Sequence, residues 1–482
     1  MGCAMISKKP IMVSSRKKTI ILYPGQFVTN LKDSIYSHYT IKNELGCGSY
    51  GRVVLAVHNL SHELRAIKII NKFAIQNEET RSKILNEVEI MKNLDHPNII
   101  KIYEFHEDEF NLYLIMDLCT GGELLEAILK NGCLNESQAA GFMKQILSAV
   151  VYLHNNKIIH RDLKLENMLL ETQFSSNLKL IDFGAATNFT PGKSLDFRIG
   201  TVNYIAPEVL KKKYTEKCDV WSCGVLMYVL VSGRLPFSSK QKAETIKLIQ
   251  KAKYALSGGV WDFVSSEAKD LISKMLEINP AKRLSASEAF SHPWFVQIET
   301  PIIRPNLLEI VANNLKTFHE TSKFQRAVIR FIASQLLTLT EKNELTSIFL
   351  SLDTEGTGKI SENQLIMYWK KIFGEDLGEN DIHNMMTRID TDKSGYLDYS
   401  EFLVAAMDRK KLLSHEHLDA VFKAFDHDKN GKISALELRN MLDSNQGLEL
   451  SIYASVIKDV DQNGDGYVDY KEFKSMMNAL AS

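Results

Sequence analysis

Four side chains near the middle of the chain have the types and spacing needed for phosphoryl transfer. In the segment 160–167, Asp162 can accept a proton from a substrate hydroxyl and the amide of Asn167 can bind a metal ion. Lys164 lies between them, and Asp182, which begins an Asp-Phe-Gly tripeptide, can supply a carboxylate to Mg²⁺. A histidine-arginine-aspartate triplet alone occurs by chance in many proteins. The whole set in this order favours a catalytic site.

A glycine-rich loop at residues 46–51 lies well upstream of these four side chains. The same G-x-G-x-x-G pattern marks dinucleotide-binding folds, but there the loop opens directly into a helix. Here the apolar and β-branched run 53–57 follows and predicts a second strand. A strand-loop-strand flap, with backbone N–H groups facing phosphate oxygens, is typical of protein kinases.

Lys68 ends the next predicted strand and is expected to bind the α- and β-phosphates of ATP. Such a lysine needs a glutamate partner on the following helix to orient it. Glu87 lies beside the apolar stripe of that helix and is the preferred partner. Glu89 is the solvated alternative.

The adenine site is expected where the apolar strand 111–116 leaves the sheet, with Met116 at the back of a narrow pocket. Glu123 could reach the ribose or a basic substrate residue, or could be an ordinary acidic residue at a helix N-terminus. The predicted ATP-binding residues are Gly46, Gly48, Ser49, Gly51, Val53, Ala66, Lys68, Glu87, Met116, Asp117, Cys119, Glu123, Leu169 and Asp182.

The segment after Gly184 resembles a kinase activation segment, and Thr201 resembles the residue that bridges the catalytic aspartate and lysine. Phe197 stands where many kinases carry a phosphorylated residue, and the neighbouring Asp196 could offer a permanent charge to Arg161. Loop phosphorylation is therefore not expected to be the main switch. Farther on, Arg283 and Glu208 are expected to form a stabilising pair.

The last third of the chain contains a repeat whose loops begin at Asp353, Asp390, Asp426 and Asp461, spaced by 37, 36 and 35 residues. EF-hand loops have twelve residues, with oxygen ligands at positions 1, 3, 5, 7, 9 and 12 and glycine at position 6. The last three loops satisfy this pattern. Their predicted Ca²⁺ ligands are Asp390, Asp392, Ser394, Tyr396, Asp398 and Glu401, then Asp426, Asp428, Asn430, Lys432, Ser434 and Glu437, then Asp461, Asn463, Asp465, Tyr467, Asp469 and Glu472.

The first loop departs from the pattern at its last position. Gln364 stands where a bidentate carboxylate is needed, and Glu355 is a longer ligand than the pattern prefers. The corresponding ligand positions are Asp353, Glu355, Thr357, Lys359 and Gln364. Weak or absent Ca²⁺ binding is expected there.

The segment between the two halves, 307–339, is basic and amphipathic, with Phe324, Val328 and Phe331 on one stripe. Such a helix is what a Ca²⁺-loaded EF-hand pair grips, although a linker helix packed on the catalytic half would show the same pattern. Seven methionines of the repeat suit adaptable apolar faces or an ordinary core: Met367, Met385, Met386, Met407, Met441, Met476 and Met477.

The composition excludes little, since 482 residues with a net charge of −1 are ordinary for a protein of two or three domains. Six scattered cysteines without a CxxC pair favour reduced thiols, and no apolar run is long enough to span a bilayer. After Met removal, Gly2 could be myristoylated and Cys3 palmitoylated, although Ile6 holds the usual hydroxyl position. The alternative is an N-terminus that merely begins Met-Gly.

Catalytic motifs, a basic junction and four EF-hand loops together resemble the calcium-dependent protein kinases of plants and protists. The resemblance implies an α+β chain, with a bilobal protein kinase fold followed by an all-α domain of two EF-hand pairs. Its expected parts are a flexible extension (1–38), the kinase domain (39–295), an autoinhibitory junction helix (296–339) and a calmodulin-like domain (340–482).

The resemblance also implies a serine/threonine kinase that uses ATP, Mg²⁺ and Ca²⁺. It would be inhibited by its junction at low Ca²⁺ and would need no separate calmodulin. Lys164 fits the serine/threonine class, and Glu123 with Glu166 suggests substrates with basic residues near the target. The expected protein is a cytoplasmic monomer that binds no nucleic acid, with membrane attachment if the N-terminus is acylated. A Ca²⁺-dependent scaffold with an inactive kinase domain is the main alternative, and a Ca²⁺ buffer is a third.

Overall fold

The computed structural model describes residues 29–31, 34–48, 51–75, 77–131, 134–173, 176–197, 199–297, 305–318, 322–373, 379–442 and 449–480. The predicted site residues Gly2, Cys3 and Ser49 lie outside these ranges. Two large apolar cores organise the described residues, one in each half of the chain.

The first half begins with a six-stranded sheet in the order β1-β5-β6-β4-β3-β2, all antiparallel except that β1 runs parallel to β5. Its elements are β1 (Thr29–Leu31), α1 (Ile35–His38), β2 (Tyr39–Gly48), β3 (Gly51–His58), β4 (Leu64–Asn71), α2 (Glu78–Lys92), β5 (Ile102–Glu107) and β6 (Asn111–Met116). Strand β3 alternates buried and less buried residues, as expected for a half-covered sheet. The strand-loop-strand prediction for residues 39–57 is confirmed.

The sequence predicts a flexible extension over residues 1–38, but the described end of that segment is structured. Thr29–Leu31 pairs with the free edge of β5, which offers unpaired backbone groups. Ile35 is only 2% exposed and packs with Tyr39 in the core of the sheet. The folded unit therefore begins before residue 39.

Helices dominate the second lobe. Its elements are α3 (Leu124–Asn131), α4 (Glu136–Asn155), β7 (Ile158–Ile159), β8 (Met168–Leu170), β9 (Leu178–Leu180), β10 (Thr187–Asn188), α5 (Pro207–Leu210), α6 (Lys217–Ser232), α7 (Lys242–Gln250), α8 (Ser266–Met275) and α9 (Ala286–Phe290). Helix α4 starts at a capping box in which Asn135 and Gln138 satisfy each other's free backbone N–H groups. Helix α6 is buried along almost its whole length and forms the centre of this lobe. The hairpin β8–β9 connects the catalytic segment 160–167 to Asp182.

The junction contains two helices where the sequence analysis expected one. They are α10 (Pro305–Lys316) and α11 (Lys323–Gln335). A new helix starts at Ser322 because its side chain accepts the Gln325 N–H while Gln325 caps Ser322 in return. Both helices share the apolar core of the Ca²⁺-binding repeat, not that of the kinase lobes.

The repeat forms four helix-loop-helix units. Its elements are α12 (Leu339–Leu352), β11 (Lys359–Ser361), α13 (Glu362–Phe373), α14 (Glu379–Ile389), β12 (Tyr396–Asp398), α15 (Tyr399–Ala406), α16 (Arg409–Leu412), α17 (His415–Phe425), β13 (Lys432–Ile433), α18 (Ala435–Leu442), α19 (Leu450–Lys458), β14 (Val468–Asp469) and α20 (Tyr470–Asn478). Short antiparallel ladders join β11 to β12 and β13 to β14. The prediction of two EF-hand pairs is confirmed.

Candidate functional site

The sheet and helix α2 bring Lys68 and Glu87 together. Lys68 stands on β4 opposite Val53 of β3, and its Nζ lies 3.1 Å from Glu87 Oε1. Glu87 is 6% exposed, whereas Glu89 is solvent-exposed and pairs with Lys92. The structure thus selects Glu87 over Glu89 as the lysine's partner, and burial keeps the pair ordered.

The turn between β2 and β3 requires glycine at Gly51. A Cβ atom there would lie 1.8 Å from the backbone oxygen of Ile69. The backbone of the neighbouring strand β4 therefore leaves no room for a side chain at Gly51. This close approach explains a glycine that phosphate binding alone would not require.

Asp162 is held by three hydrogen bonds from two neighbours. Lys164 Nζ donates to Oδ2 at 2.7 Å, while the backbone N and hydroxyl of Thr201 donate to Oδ1 at 2.8 and 2.7 Å. Burial opposes ionisation of Asp162, but the hydrogen bonds from Lys164 and Thr201 and the positive charge of Lys164 together outweigh it and lower the pKa of the carboxyl below its usual value. The predicted bridging position of Thr201 is present. The carboxylate is ionised at neutral pH, as a proton acceptor must be.

The two predicted Mg²⁺ ligands are Asn167, the last residue of the catalytic segment, and Asp182. Asn167 is buried, and its Nδ2 donates to the backbone oxygen of Asp162, which leaves the amide oxygen as the ligand atom. Asp182 has a positive φ of 65° and accepts the Gly184 N–H. An amide oxygen and a carboxylate are hard oxygen ligands that suit Mg²⁺.

The segment after β6, the hinge, is expected to bind adenine through its backbone groups. The side chain of Asp117 has other partners, since its carboxylate accepts the Tyr103 hydroxyl and lies 3.7 Å from Lys179 Nζ. Burial disfavours its charge, yet Lys179 and Lys342 lower the pKa of Asp117 far below its usual value. Only its backbone groups remain for a nucleotide, because the buried lysines attract the side chain.

Other residues predicted to line the nucleotide pocket lie on or next to the neighbouring strands. Ala66 and Met116 are paired across β4 and β6, and Glu123 forms a β-bridge with Leu169. Cys119 is half-buried, and burial raises the pKa of its thiol to about 12. Gly46 and Gly48 end β2, where the loop begins.

Glu166 lies close enough to Glu123 to oppose its ionisation. Burial raises the pKa of Glu123, with further contributions from Glu126 and Glu166. The Oε2 atom of Glu166 is buried, and no described residue forms a hydrogen bond with it. A buried carboxylate oxygen without a donor is a natural place for a basic group from a bound molecule.

The activation segment corrects one expectation and bears out another. Arg161 was expected to pair with Asp196, but it donates to the backbone oxygen of Ala185 at 2.6 Å and to Tyr214. The β7–β10 ladder beside it explains the difference, because it brings the segment after Gly184 against the catalytic loop. Farther on, the predicted Arg283–Glu208 pair is present and buried, with Nη2 3.0 Å from Oε2.

Loops 2 and 3, which begin at Asp390 and Asp426, bring three carboxylates together. The ligand atoms of Asp390, Asp392 and Glu401 lie within 4.8 Å of one another, and so do those of Asp426, Asp428 and Glu437. Such all-oxygen clusters of carboxylates match the chemistry that Ca²⁺ prefers.

In loop 4, which begins at Asp461, the last glutamate is hydrogen-bonded as it is in loop 3, but one other carboxylate pairs with a residue outside the loop. Glu472 Oε1 accepts the backbone N–H groups of Gln462 and Asn463, as Glu437 does with His427 and Asp428. The Asp465 carboxylate instead pairs with Lys432 of loop 3 at 2.8 Å. Both partners are largely exposed, so this pair is a weak competitor for a cation.

Loop 1 closes without a twelfth-position carboxylate. Gln364 Oε1 accepts the Ser361 N–H at 2.8 Å, and its amide donates to Thr354 Oγ1 at 3.2 Å. Asp353 is 3% exposed, and burial raises its pKa to about 6. The amide therefore performs the structural role of the missing glutamate and adds no charge to the loop.

Helix α11 occupies the groove between the EF-hand pairs. Phe331 packs edge-on against Phe425, with ring centroids 5.6 Å apart, and Phe324 contacts Phe425 and Phe473. Val328 is fully buried on the same stripe. Helix α11 therefore shares the apolar core of the EF-hand repeat through this stripe.

The methionines of the repeat serve mainly as core. Met385, Met386, Met407 and Met477 are buried, whereas Met367 is 70% exposed. Packing in the core therefore accounts for these four buried methionines, and an adaptable binding surface need not be invoked for them.

The repeat docks on the kinase lobes, which the sequence analysis did not foresee. Asp95 accepts the backbone N–H and the hydroxyl of Ser400 at 2.7 and 2.9 Å. The loop 1 glycine Gly358 packs so closely on Tyr152 and His96 that a Cβ would lie within 3 Å of either ring. No sequence motif marks these positions, because their roles arise only from the contact between the two halves of the chain.

A second contact joins the repeat to the hinge. Lys342 donates to the Tyr103 hydroxyl at 3.0 Å, and Arg65 donates to the backbone oxygen of Gln335 at the end of α11. Hydrogen bonds between the halves in the described residues involve the sheet, the loop after α2 and Asn177, and none involves residues 160–167.

Comparison with known proteins agrees with this architecture. Residues 39–295 match the protein kinase domain, and residues 379–442 and 416–478 match the EF-hand domain pair. The fold and the site therefore define a protein kinase joined to EF-hand pairs in one chain.

Curated relatives share both parts. Calcium-dependent protein kinase 4 of Plasmodium falciparum (isolate 3D7) is 40% identical over 99% of this chain and 93% of its own length. The protein of the same name from Plasmodium berghei (strain Anka) is 40% identical over 96% and 90%. Calcium-dependent protein kinase 3 of Plasmodium berghei is 39% identical over 94% and 82%. The chain belongs to the calcium-dependent protein kinase family and is a serine/threonine protein kinase.

A search of the described helices for membrane spans gave a negative result, since none is both long enough and apolar enough to cross a bilayer.

Proposed function

We propose that this chain is a Ca²⁺-activated protein kinase whose own EF-hands sense Ca²⁺ and control the catalytic lobes without calmodulin. The packing of α11 carries the proposal. Phe324 and Phe331 fill the groove in which a calmodulin molecule would hold its target helix. Because sensor and target already lie in one chain, a separate calmodulin has no exposed target there.

The geometry of the first half supports a proposed catalytic role for each of these residues. Asp162 would take the proton of a serine or threonine hydroxyl, and Lys164, bonded to the same carboxylate, would stabilise the transferred phosphoryl group. Lys68, oriented by Glu87, would position the α- and β-phosphates of ATP. Asn167 and Asp182 would hold Mg²⁺, which neutralises charge on the phosphates.

The substrate is proposed to carry basic residues near the target hydroxyl. Glu123 and Glu166 place two carboxylates beside each other, and one buried oxygen of Glu166 has no described donor. A guanidinium group could satisfy that oxygen with a charge-assisted hydrogen bond. An arginine near the target hydroxyl is thus the favoured partner.

Control by Ca²⁺ is proposed to act through docking of the repeat behind the hinge. In the docked arrangement the Lys68–Glu87 pair and the Asp162–Thr201 bonds are both formed. We infer that docking of the repeat supports the catalytic lobes. We also infer that the junction inhibits transfer at low Ca²⁺, and that Ca²⁺ binding to the loops changes how the junction is held.

The test is phosphate transfer from ATP to a basic serine peptide by purified full-length chain, across a free-Ca²⁺ titration without calmodulin. A steep rise in the range of about 10⁻⁷–10⁻⁵ M supports a sensor and enzyme in one chain. Activity that ignores Ca²⁺ contradicts the regulatory proposal. No activity at any Ca²⁺ concentration favours the alternative, a Ca²⁺-dependent scaffold with an inactive kinase domain.

Attachment to a membrane is a separate proposal that depends on Gly2 and Cys3. Their residue types support acylation, because Gly2 would expose an unhindered amine after Met removal and Cys3 offers a thiol. Two acyl chains would give stable anchoring where one gives only marginal binding. Incorporation of labelled myristate into the wild-type chain but not Gly2→Ala would support the first modification, and equal labelling of both chains would contradict it.

A further inference from the structure

One of the three complete Ca²⁺ loops has its closing glutamate paired with an arginine from outside the loop. Arg330, on α11, places Nη2 2.8 Å from Glu401 Oε1 and 2.8 Å from Thr391 Oγ1. Arg330 is 5% exposed and Glu401 is 1% exposed. This is a buried pair between the junction helix and a predicted Ca²⁺ ligand.

Loops 3 and 4 provide an internal comparison. Glu437 and Glu472 close their loops by accepting two backbone N–H groups on Oε1, without an ion pair among the described residues. Glu401 closes loop 2 in a similar way, through the N–H of Thr391. The guanidinium is therefore an addition specific to loop 2.

The lone pairs of Glu401 Oε1 are already in use. This oxygen accepts hydrogen bonds from the Thr391 N–H, the Thr391 hydroxyl and Arg330. Bidentate Ca²⁺ binding requires both carboxylate oxygens, so at least one donor must leave or shift. Arg330 is the donor that also repels a divalent cation, because arginine stays protonated in proteins.

Arg330 lies on a helix that reaches both the sensor and the kinase. One residue farther along, Phe331 is anchored against Phe425 of the second EF-hand pair. At the end of α11, the backbone oxygen of Gln335 accepts a hydrogen bond from Arg65 of β4, the strand that carries Lys68. A change at Glu401 can therefore alter how α11 is held at its kinase end.

We propose that Arg330 competes with Ca²⁺ for Glu401, so that filling of loop 2 breaks the buried pair and frees α11 from the first EF-hand pair. Loops 3 and 4 fill without this competition, and their aromatic contacts keep α11 in the second pair. Loop 2 is then the site that couples Ca²⁺ to the junction. The inference rests on the proposed binding of Ca²⁺ by loop 2.

The test isolates loop 2 in the full-length chain. Glu437→Gln and Glu472→Gln together remove the closing carboxylates of loops 3 and 4, and isothermal titration calorimetry with CaCl₂ then reports loop 2. Adding Arg330→Gln should tighten this binding by about 5–150-fold, the usual range of coupling between linked sites. The control is Lys323→Gln, which removes a positive charge at the first residue of α11, roughly 10 Å along the helix axis from Arg330, and should change affinity by less than about twofold.

A second readout uses no Ca²⁺ titration. In EGTA, Arg330→Gln should melt at a lower temperature than the parent because it leaves Glu401 buried without its partner. In saturating CaCl₂ the two melting temperatures should converge. If Arg330→Gln does not fold, Arg330→Lys takes its place, since it keeps the charge but loses the fork and should tighten binding by a smaller factor.

The outcomes separate the two proposals. Equal or weaker Ca²⁺ binding after the Arg330 change, with loop 2 still filling, overturns the competition and makes Arg330 a positioning residue for Glu401. No binding by loop 2 with either residue at position 330 overturns the Ca²⁺ assignment of this loop and the competition with it.

Discussion

Lys342 donates a hydrogen bond of 3.0 Å to the hydroxyl of Tyr103, and that hydroxyl in turn donates to Asp117 at the nucleotide hinge. The lysine belongs to α12 of the first EF-hand, and the tyrosine to β5 of the kinase sheet. Burial lowers the pKa of Lys342 to about 8, although Asp117 opposes this shift. A buried charge of the sensor is thus held by the hinge of the enzyme.

Replacing Lys342 by Met should weaken docking of the repeat and lower kinase activity at saturating Ca²⁺. We expect roughly a tenfold loss, equivalent to about 1.4 kcal/mol of coupling between the halves. The measurement is peptide phosphorylation by the full chain, with Ca²⁺ affinity followed in parallel. Lys471→Met, an exposed lysine on α20, is the matched control. Full activity of Lys342→Met would show that docking at this point does not support catalysis.

Replacing Asp162 by Asn should abolish most of the phosphoryl transfer, because the carboxylate is the only proton acceptor assigned to the substrate hydroxyl. A loss of about 10²–10⁴-fold in kcat is expected for removal of a general base. Thr201→Ser keeps the hydroxyl that donates to Asp162 and should retain most of the activity. Ca²⁺ binding should be unchanged in both variants. An active Asp162→Asn chain would contradict the assignment.

Wild-type chain should bind three Ca²⁺ ions, since loop 1 lacks the closing carboxylate. Gln364→Glu restores that carboxylate at a position where the side chain already reaches across the loop to Thr354. A fourth, weaker site should then appear in calorimetry, whereas Gln364→Ala should leave three. Four ions bound by the wild-type chain would contradict the expectation for loop 1.

Acid should destabilise the chain through His96, which is fully enclosed between the lobes and loop 1. Its Nδ1 accepts the Asn98 N–H, and its Nε2 faces the hydroxyl of Ser148 at 3.0 Å. Burial lowers the pKa of His96 from 6.5 to about 3, with a further contribution from Lys179. The unfolded chain therefore binds more protons than the folded chain between these values, so stability falls as pH drops below about 6.5.

The free energy of unfolding should fall by about 2 kcal/mol between pH 7.5 and pH 5. The reason is that unfolding takes up one proton over the roughly 1.5 pH units below the ordinary pKa of histidine. Urea unfolding at both pH values gives the measurement. His96→Asn should be less stable at pH 7.5, and its deficit should shrink toward pH 5. His383→Asn, at an exposed position of α14, should follow the wild-type chain. A deficit independent of pH would show that His96 is not excluded from protonation.

Neutralising Glu123 and Glu166 should impair basic substrates selectively. The double change to Gln should raise the KM for an arginine-containing peptide about tenfold, as expected for loss of a charge-assisted hydrogen bond. The KM for a peptide with citrulline at the same place should change little, because citrulline keeps the shape but not the charge. Equal effects on both peptides would assign these carboxylates to folding or to the nucleotide.

Local patterns were enough to predict a protein kinase domain and the EF-hand loops. Phosphate and Ca²⁺ chemistry demand particular side chains at fixed spacings, so Asp162, Asn167 and Glu437 stand in recognisable segments of the chain. The same holds for Lys68, which stands in an apolar run that follows the glycine loop. Fold class and enzyme class followed from these segments.

Only the tertiary structure decided what depends on contacts between distant residues. It placed the carboxylate of Asp117 toward buried lysines, divided the junction into two helices and added Thr29–Leu31 to the sheet edge. It also paired Arg330 with Glu401, which are 71 residues apart in the chain. Burial and charge compensation between packed elements determine such pairs, and neither has a local signature. The sequence therefore determined which chemistry this protein carries, and the packing of its two halves decided how that chemistry is held and coupled.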